Sequence, residues 1–194
     1  QAVLELRPGS TLGFGPPIRD GFYYDFLLSE PITEEDFPEL ERRMRKIIKR
    51  GQRFDREDLP RQEAMARLEE MAEPYKAEYA GELFEKQGIE ALTFYRNGPF
   101  LDMCEGPHVH TTKELPRDAF KLRSVAGAYW RGDSDNVMMT RIYAWAFATK
   151  EELDAHVAAW ELAQERDHKK LGRELDIYHI DQTIGKGLPL WLPH

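Results

Sequence analysis

The stretch "DMCEGPHVH", residues 102–110, holds the only cysteine of the chain, Cys104, with His108 four residues on, His110 beyond it and Asp102 two residues before the thiol. A thiol, an imidazole and a carboxylate at this spacing can support three kinds of chemistry. A zinc site needs about four ligands, or three and a water. Cys104 and His108 supply two, with Asp102 or His110 as a weak third. A cysteine nucleophile needs a base that lowers the thiol pKa and an oxyanion hole. His108 can serve as the base, and nothing in the stretch marks an oxyanion hole. The third use is a site where thiol, imidazole and carboxylate hydrogen-bond a polar substrate and position a water. The plain alternative is a buried thiol beside a polar surface loop. Residue types alone leave all four open.

For the three groups to converge, "FLDMC" has to be a strand. Alternation then puts Phe100, Asp102 and Cys104 on one face. Gly106-Pro107 bends the chain, and His108 can swing back toward them. Upstream, "ALTFYRNGPF" reads as a strand and an "RNG" turn into that strand. "AVLELRPGS" reads as the tail of a helix closed by Pro8 and Gly9, and "RDG" as a turn into the strand "FYYDFLL". There, alternation sets Phe22, Tyr24 and Phe26 against Tyr23 and Asp25. Thr33 and Asp36 form a capping-box-like start for a helix whose apolar marks are Phe37, Leu40, Met44, Ile47 and Ile48, ended by Gly51. "FDREDLP" reads as a strand, followed by helices from about Pro60 and from about Tyr75, the second stopping at Gly88. "AFKLRSVAGAYW" and "VMMTRIYAWAFA" read as a hairpin around "RGDSDN", interrupted at Ala126, Gly127 and Ala128 as if something packs close to that backbone. Thr149 with Glu152 opens a long charged helix to about Leu171, with Leu153, Val157 and Trp160 as apolar marks. "LDIYHI" and "LPLWLP" read as fresh strands, the last with nothing to pair with. Both ends read as cut from something longer.

The 194 residues are 41% hydrophobic and 32% charged, a globular composition. No apolar run approaches the roughly 20 residues of a membrane helix, and the first residues do not read as a signal peptide. One cysteine excludes an internal disulfide framework and fits a reducing cytosol. A net charge of −8 argues against non-specific nucleic-acid binding by the chain as a whole. The basic run "RRMRKIIKR", residues 42–50, is a candidate for a local basic patch, with a solvated helix face as the plainer reading.

"GPPIRDGFYYDF", "EPYK", "LDMCEGPHV", "KLRSVAGAYWRGDS", "RIYAWAF" and "ERDHKKLGRELDIYHI" stand in the order and spacing of the threonyl-tRNA synthetase family, and the resemblance covers essentially the whole chain. It implies an α+β fold, an antiparallel sheet with packed helices. Residues 1–147 would be most of the editing domain, also called the second additional domain. Residues 148–173 would be a linker helix, and residues 174–194 the first strands of a class II catalytic domain. The family's editing site hydrolyses serine mischarged onto threonine tRNA. A second site is needed because a missing methylene is worth only about 1–3 kcal/mol of discrimination. Carried over residue by residue, Cys104 and His108 match the C-x3-H half of the editing motif, Asp102 its preceding acid, and Lys76 in "EPYK" a lysine of the same pocket. The resemblance gives His108 and Lys76 to positioning or activating the water and the terminal ribose hydroxyl. It gives Cys104 and Asp102 to binding the seryl group. No metal is expected there. In the parent enzyme the resemblance implies ATP, magnesium and a catalytic zinc held beyond residue 194. It also implies threonine tRNA as partner, a homodimer through the catalytic domain, and a cytoplasmic location.

The family's H-x3-H pair belongs just ahead of "QAVLEL", so this fragment alone is expected to be inactive. Tyr95 lies near a family aromatic, with different spacing around it. Trp145 stands where the family has a small residue or threonine, and would narrow the pocket if it faced it. Arg131 and Asp133 of "RGD" fix the hairpin or touch the tRNA end. Tyr23, Tyr24 and Trp130 are core residues or stack on a terminal adenine. His168 reads as a surface residue of the linker helix. Two other functions fit the same residues: a free-standing trans-editing deacylase and a non-catalytic tRNA-binding module.

Overall fold

The computed structural model describes residues 1–180 and 189–192. They fall into two compact units, Gln1–Lys150 and Glu151–His194. In chain order the first unit contains α1 (Ala2–Leu6), β1 (Thr11–Leu12), β2 (Pro17–Ile18), β3 (Gly21–Leu27), α2 (Phe37–Arg50), β4 (Phe54–Pro60) and α3 (Arg61–Glu70). There follow α4 (Pro74–Lys86), β5 (Ala91–Asn97), β6 (Phe100–Met103), β7 (Phe120–Tyr129) and β8 (Met138–Ala146). Two antiparallel sheets result. One has the order β1-β3-β8-β7, with β2 also on β3; the other has the order β4-β5-β6. This is the mixed α/β, antiparallel architecture that the sequence implies.

Each sheet has its own core. Under the five-stranded sheet, Leu12, Phe26, Leu122, Ile142 and Ala144 pack with Ala2 of α1 and Phe37, Leu40 and Ile47 of α2. α2 buries its stripe because those residues recur at helical spacing. The Thr33/Asp36 capping box forms in a 3-10 turn, so the α-helix itself starts one turn later than the cap suggests. Gly51 ends it at φ 67°, in the left-handed region that favours glycine. Against the three-stranded sheet, Ala64 and Leu68 of α3 and Ala80 and Phe84 of α4 meet Leu92, Phe94 and Met103. The basic run of α2 is matched by carboxylates: Arg42 and Arg43 by Glu39, Arg45 by Glu41 and Asp118, and Arg50 by Glu5.

Three expectations change. The hairpin is not interrupted at Ala126–Ala128. β7 runs through it, and the close neighbour of Gly127 is its own hairpin's Met138, whose sulfur would lie 2.9 Å from an added Cβ. In the second unit the long helix is two, α5 (Lys150–Glu165) and α6 (His168–Glu174). Asp167 stops the first by capping the second, accepting the Lys170 amide at 3.1 Å, the exchange expected of an N-cap aspartate. The last strand does find a partner: β10 (Pro189–Trp191) pairs antiparallel with β9 (Tyr178–Ile180). Residues 188 and 193 of the expected strand lie outside the described residues.

Candidate functional site

Asp102 sits on the edge strand β6, opposite Tyr95 of β5, so both side chains share a sheet face. The pairing runs on past β6, because the Cys104 amide donates to the Thr93 carbonyl at 3.0 Å. This keeps the alternation from Asp102 to Cys104 that the sequence required. Cys104 is half-buried and free. Gly106 follows at φ 75°, and a Cβ there would collide with the Tyr95 hydroxyl. The Gly106–Pro107 peptide is cis. His108 then packs its ring against Phe54 at 5.1 Å and edge-on to Tyr95 at 4.3 Å. His108 remains exposed, and the partial desolvation by these rings lowers its pKa below the usual 6.5, against an opposing pull from Asp102.

Lys76 comes from α4. It occupies the first position of the buried stripe Lys76, Ala80, Phe84, and is 1% exposed. Its Nζ is ion-paired with Asp102 and donates to the Tyr24 hydroxyl at 3.0 Å. Tyr24, from β3, donates in turn to Asp102 Oδ2 at 2.7 Å. The cluster therefore ties together both sheets and α4. Burial first, and then the Asp102 carboxylate, raise the Tyr24 pKa well above its ordinary value, so the phenol stays a donor. A second buried carboxylate, Glu73, adjoins α4 and accepts the Leu12 amide of β1 at 2.7 Å. Burial pushes it up to about 7, with Leu12 and Lys76 opposing and Asp102 adding to the rise.

The structure thus brings Lys76 and Asp102 into direct contact, with Cys104 just past the end of β6 and His108 on the bend beyond it, against Tyr95. Two members, Tyr24 and Glu73, were not legible as site residues. Tyr24 is a hydrogen-bonding partner, where the sequence offered only stacking or core packing. Trp130 is core, stacked on Phe14 at 5.3 Å and 4% exposed. Arg131 ties the hairpin to α4 through Glu82 at 2.6 and 2.8 Å, and Asp133 accepts the Asp135 amide within the turn. Trp145 is buried on the opposite face of β8 from Ile142 and Ala144, which pack beneath the sheet with Tyr24, so its ring does not enter the cluster. Cys104 and His108 are two donors, fewer than zinc needs. Among the described residues no three His, Cys, Asp or Glu side chains could hold a metal ion.

Residues 92–143, which carry β5, β6, the histidine bend and the β7–β8 hairpin, match the family described as the threonyl and alanyl tRNA synthetase second additional domain. Of the cluster, Asp102 lies within the matched residues, with Cys104 and His108, while Tyr24, Glu73 and Lys76 precede them. The chain is 50% identical over 182 residues to a threonine–tRNA ligase of Exiguobacterium, covering 94% of this chain and 27% of the relative. It is 47% identical over 193 residues to that of Anoxybacillus flavithermus, covering 100% and 29%. Against Deinococcus radiodurans the identity is 48% over 182 residues, covering 94% and 27%. The chain belongs to the threonine–tRNA ligase family and spans less than a third of the length of these relatives.

Proposed function

We propose that residues 1–147 form an editing region that hydrolyses serine mischarged onto threonine tRNA. In this reading residues 148–173 connect it to a class II catalytic domain that begins at about residue 174. The parent enzyme attaches threonine to its tRNA using ATP and magnesium, holds a catalytic zinc elsewhere, and pairs as a homodimer through that domain. The observation that carries the reading is the buried Lys76–Asp102–Tyr24 cluster, beside Cys104 and His108, in a chain of this family.

The chemistry is attack of water on an ester. Water oxygen bonds to the carbonyl carbon, the carbon–oxygen bond to the ribose breaks, and the water proton ends on the ribose oxygen. His108, held below its usual pKa, is neutral near pH 7 and can take that proton and return it. Lys76 supplies fixed positive charge next to the reacting groups, and it needs no reorganisation because Asp102 and Tyr24 already hold it. Asp102 and Cys104 offer an acceptor and a small polar wall for the seryl amine and hydroxyl.

The test compares deacylation of seryl- and threonyl-charged threonine tRNA by this chain, by the chain extended upstream to include the histidine pair, and by the extended chain with Cys104→Ala. The expected result is that only the extended form removes serine, spares threonine, and weakens on losing Cys104. An inert extended form would reduce the segment to a tRNA-binding module.

A further inference from the structure

Glu73 is the buried titratable group that the proposed hydrolysis leaves unused. It is 5% exposed, immediately precedes α4, and fixes the start of that helix to β1 through the Leu12 amide. Lys76 follows it three residues later on the same segment, and Asp102 faces Lys76 from β6. Asp102 is in direct contact with the Lys76 ammonium, and Glu73 acts on it through space from the same segment. From α3, Arg61 and Glu69 line the open groove of about 1050 Å³ that Glu73 also borders, which gives its proton a path to solvent. The remaining groups around the cluster are Tyr24 of β3, Cys104, His108 and the buried Gln1 amino group.

We propose that Glu73 is a positioning residue of this site, whose proton sets the net charge under which Lys76 is held against Asp102 and Tyr24. With Glu73 protonated, Lys76 and Asp102 balance. With it ionised, the cluster carries one excess negative charge. That charge sits beside the carbonyl oxygen that must become negative during ester hydrolysis, so it opposes the reaction. The inference rests on the editing reading for its effect on rate, and on the cluster alone for the titration.

Two measurements separate these dependences. The first follows the Tyr24 Cζ resonance with pH in this chain with its amino group acetylated, which removes the Gln1 amine as a titrating neighbour of Asp102. The resonance should shift with a midpoint near pH 7 in the unaltered chain and in His108→Gln, stay flat in Glu73→Gln, and move to lower pH in Asp102→Asn. A midpoint that survives Glu73→Gln, or a flat response in the unaltered chain, overturns the proposal. The second is the pH profile of seryl-tRNA deacylation by the upstream-extended chain. The rate should fall about tenfold per unit above pH 7, and this descending limb should vanish in Glu73→Gln. A merely structural Glu73 would lower the whole profile without changing its form, and that result also counts against the proposal. If the resonance titrates as expected while no form deacylates, the editing reading fails and the charge linkage stands.

Discussion

Lys76→Met tests how the cluster is held together. Lys76 is 1% exposed and Asp102 9% exposed, and the ammonium is shared between Asp102 and Tyr24. Removing the ammonium leaves the Asp102 carboxylate buried with one remaining donor, the Tyr24 hydroxyl. Breaking a buried pair from one side typically costs about 3–5 kcal/mol, because the partner charge is left uncompensated. Asp102→Asn keeps an acceptor for Tyr24 but leaves Lys76 without its counter-charge, so its cost should fall in the same range. The double variant Lys76→Met with Asp102→Asn buries no net charge in the pair. It should be less damaging than the sum of the singles by about 2–3 kcal/mol, within the range of coupling for residues in contact. Urea unfolding at pH 6 and moderate salt, followed by tryptophan fluorescence, gives the four free energies. Trp130 and Trp145 are buried in the same unit and report on it. Additive effects, with no coupling, would refute the claim that Lys76 and Asp102 form a mutually dependent buried pair.

Glu73→Gln should stabilise the first unit in alkaline solution. A carboxyl raised from 4.5 to about 7 binds its proton more tightly folded than unfolded. Its contribution is therefore complete below about pH 4.5 and is lost as pH rises through about 7. The shift sets a ceiling of about 3 kcal/mol for that loss. Glutamine can still accept the Leu12 amide, so the variant should match the unaltered chain at pH 4.5 and exceed it by about 1–3 kcal/mol at pH 8, read by urea unfolding at both pH values. Gly106→Ala should displace Tyr95, since the new Cβ meets its hydroxyl, and should also meet the strain of φ 75°. Altered ring-current shifts at His108, together with a destabilisation of about 1 kcal/mol or more, are the expected signs. Arg131→Ala should loosen the hairpin tip from α4, seen as faster amide exchange at residues 130–137 with little change at β6.

Much of this was legible before the structure. The strands, the α2 stripe and the capping box follow from period and composition, which are local properties. Lys76 carries a signal of its own, because helical periodicity with Ala80 and Phe84 assigns it to the buried face, where a lysine needs a partner. The partner could be foreseen only in part. Asp102 was visible beside the cysteine, but Tyr24 lies 78 residues away on another sheet, and nothing in its neighbourhood distinguishes it from Phe22 and Phe26. Glu73 is similar: one glutamate before a helix reads as a solvated first turn, and only the approach of β1 buries it. The misreading of the long helix has a local cause. The charged pattern continues through residues 166 and 167, and an N-cap aspartate inside it was outweighed by the surrounding periodicity. The unpaired last strand was a matter of pairing, which no single segment encodes.

The most direct test of the account is the rate of serine release from mischarged threonine tRNA by the upstream-extended chain, with and without His108→Gln. The account predicts that the variant folds as before, binds the tRNA with little change, and loses about 10²- to 10⁴-fold in rate, the usual worth of a positioned acid–base group. A rate unchanged by the loss of His108 would contradict it, because the proposed mechanism gives that side chain the transfer of the water proton.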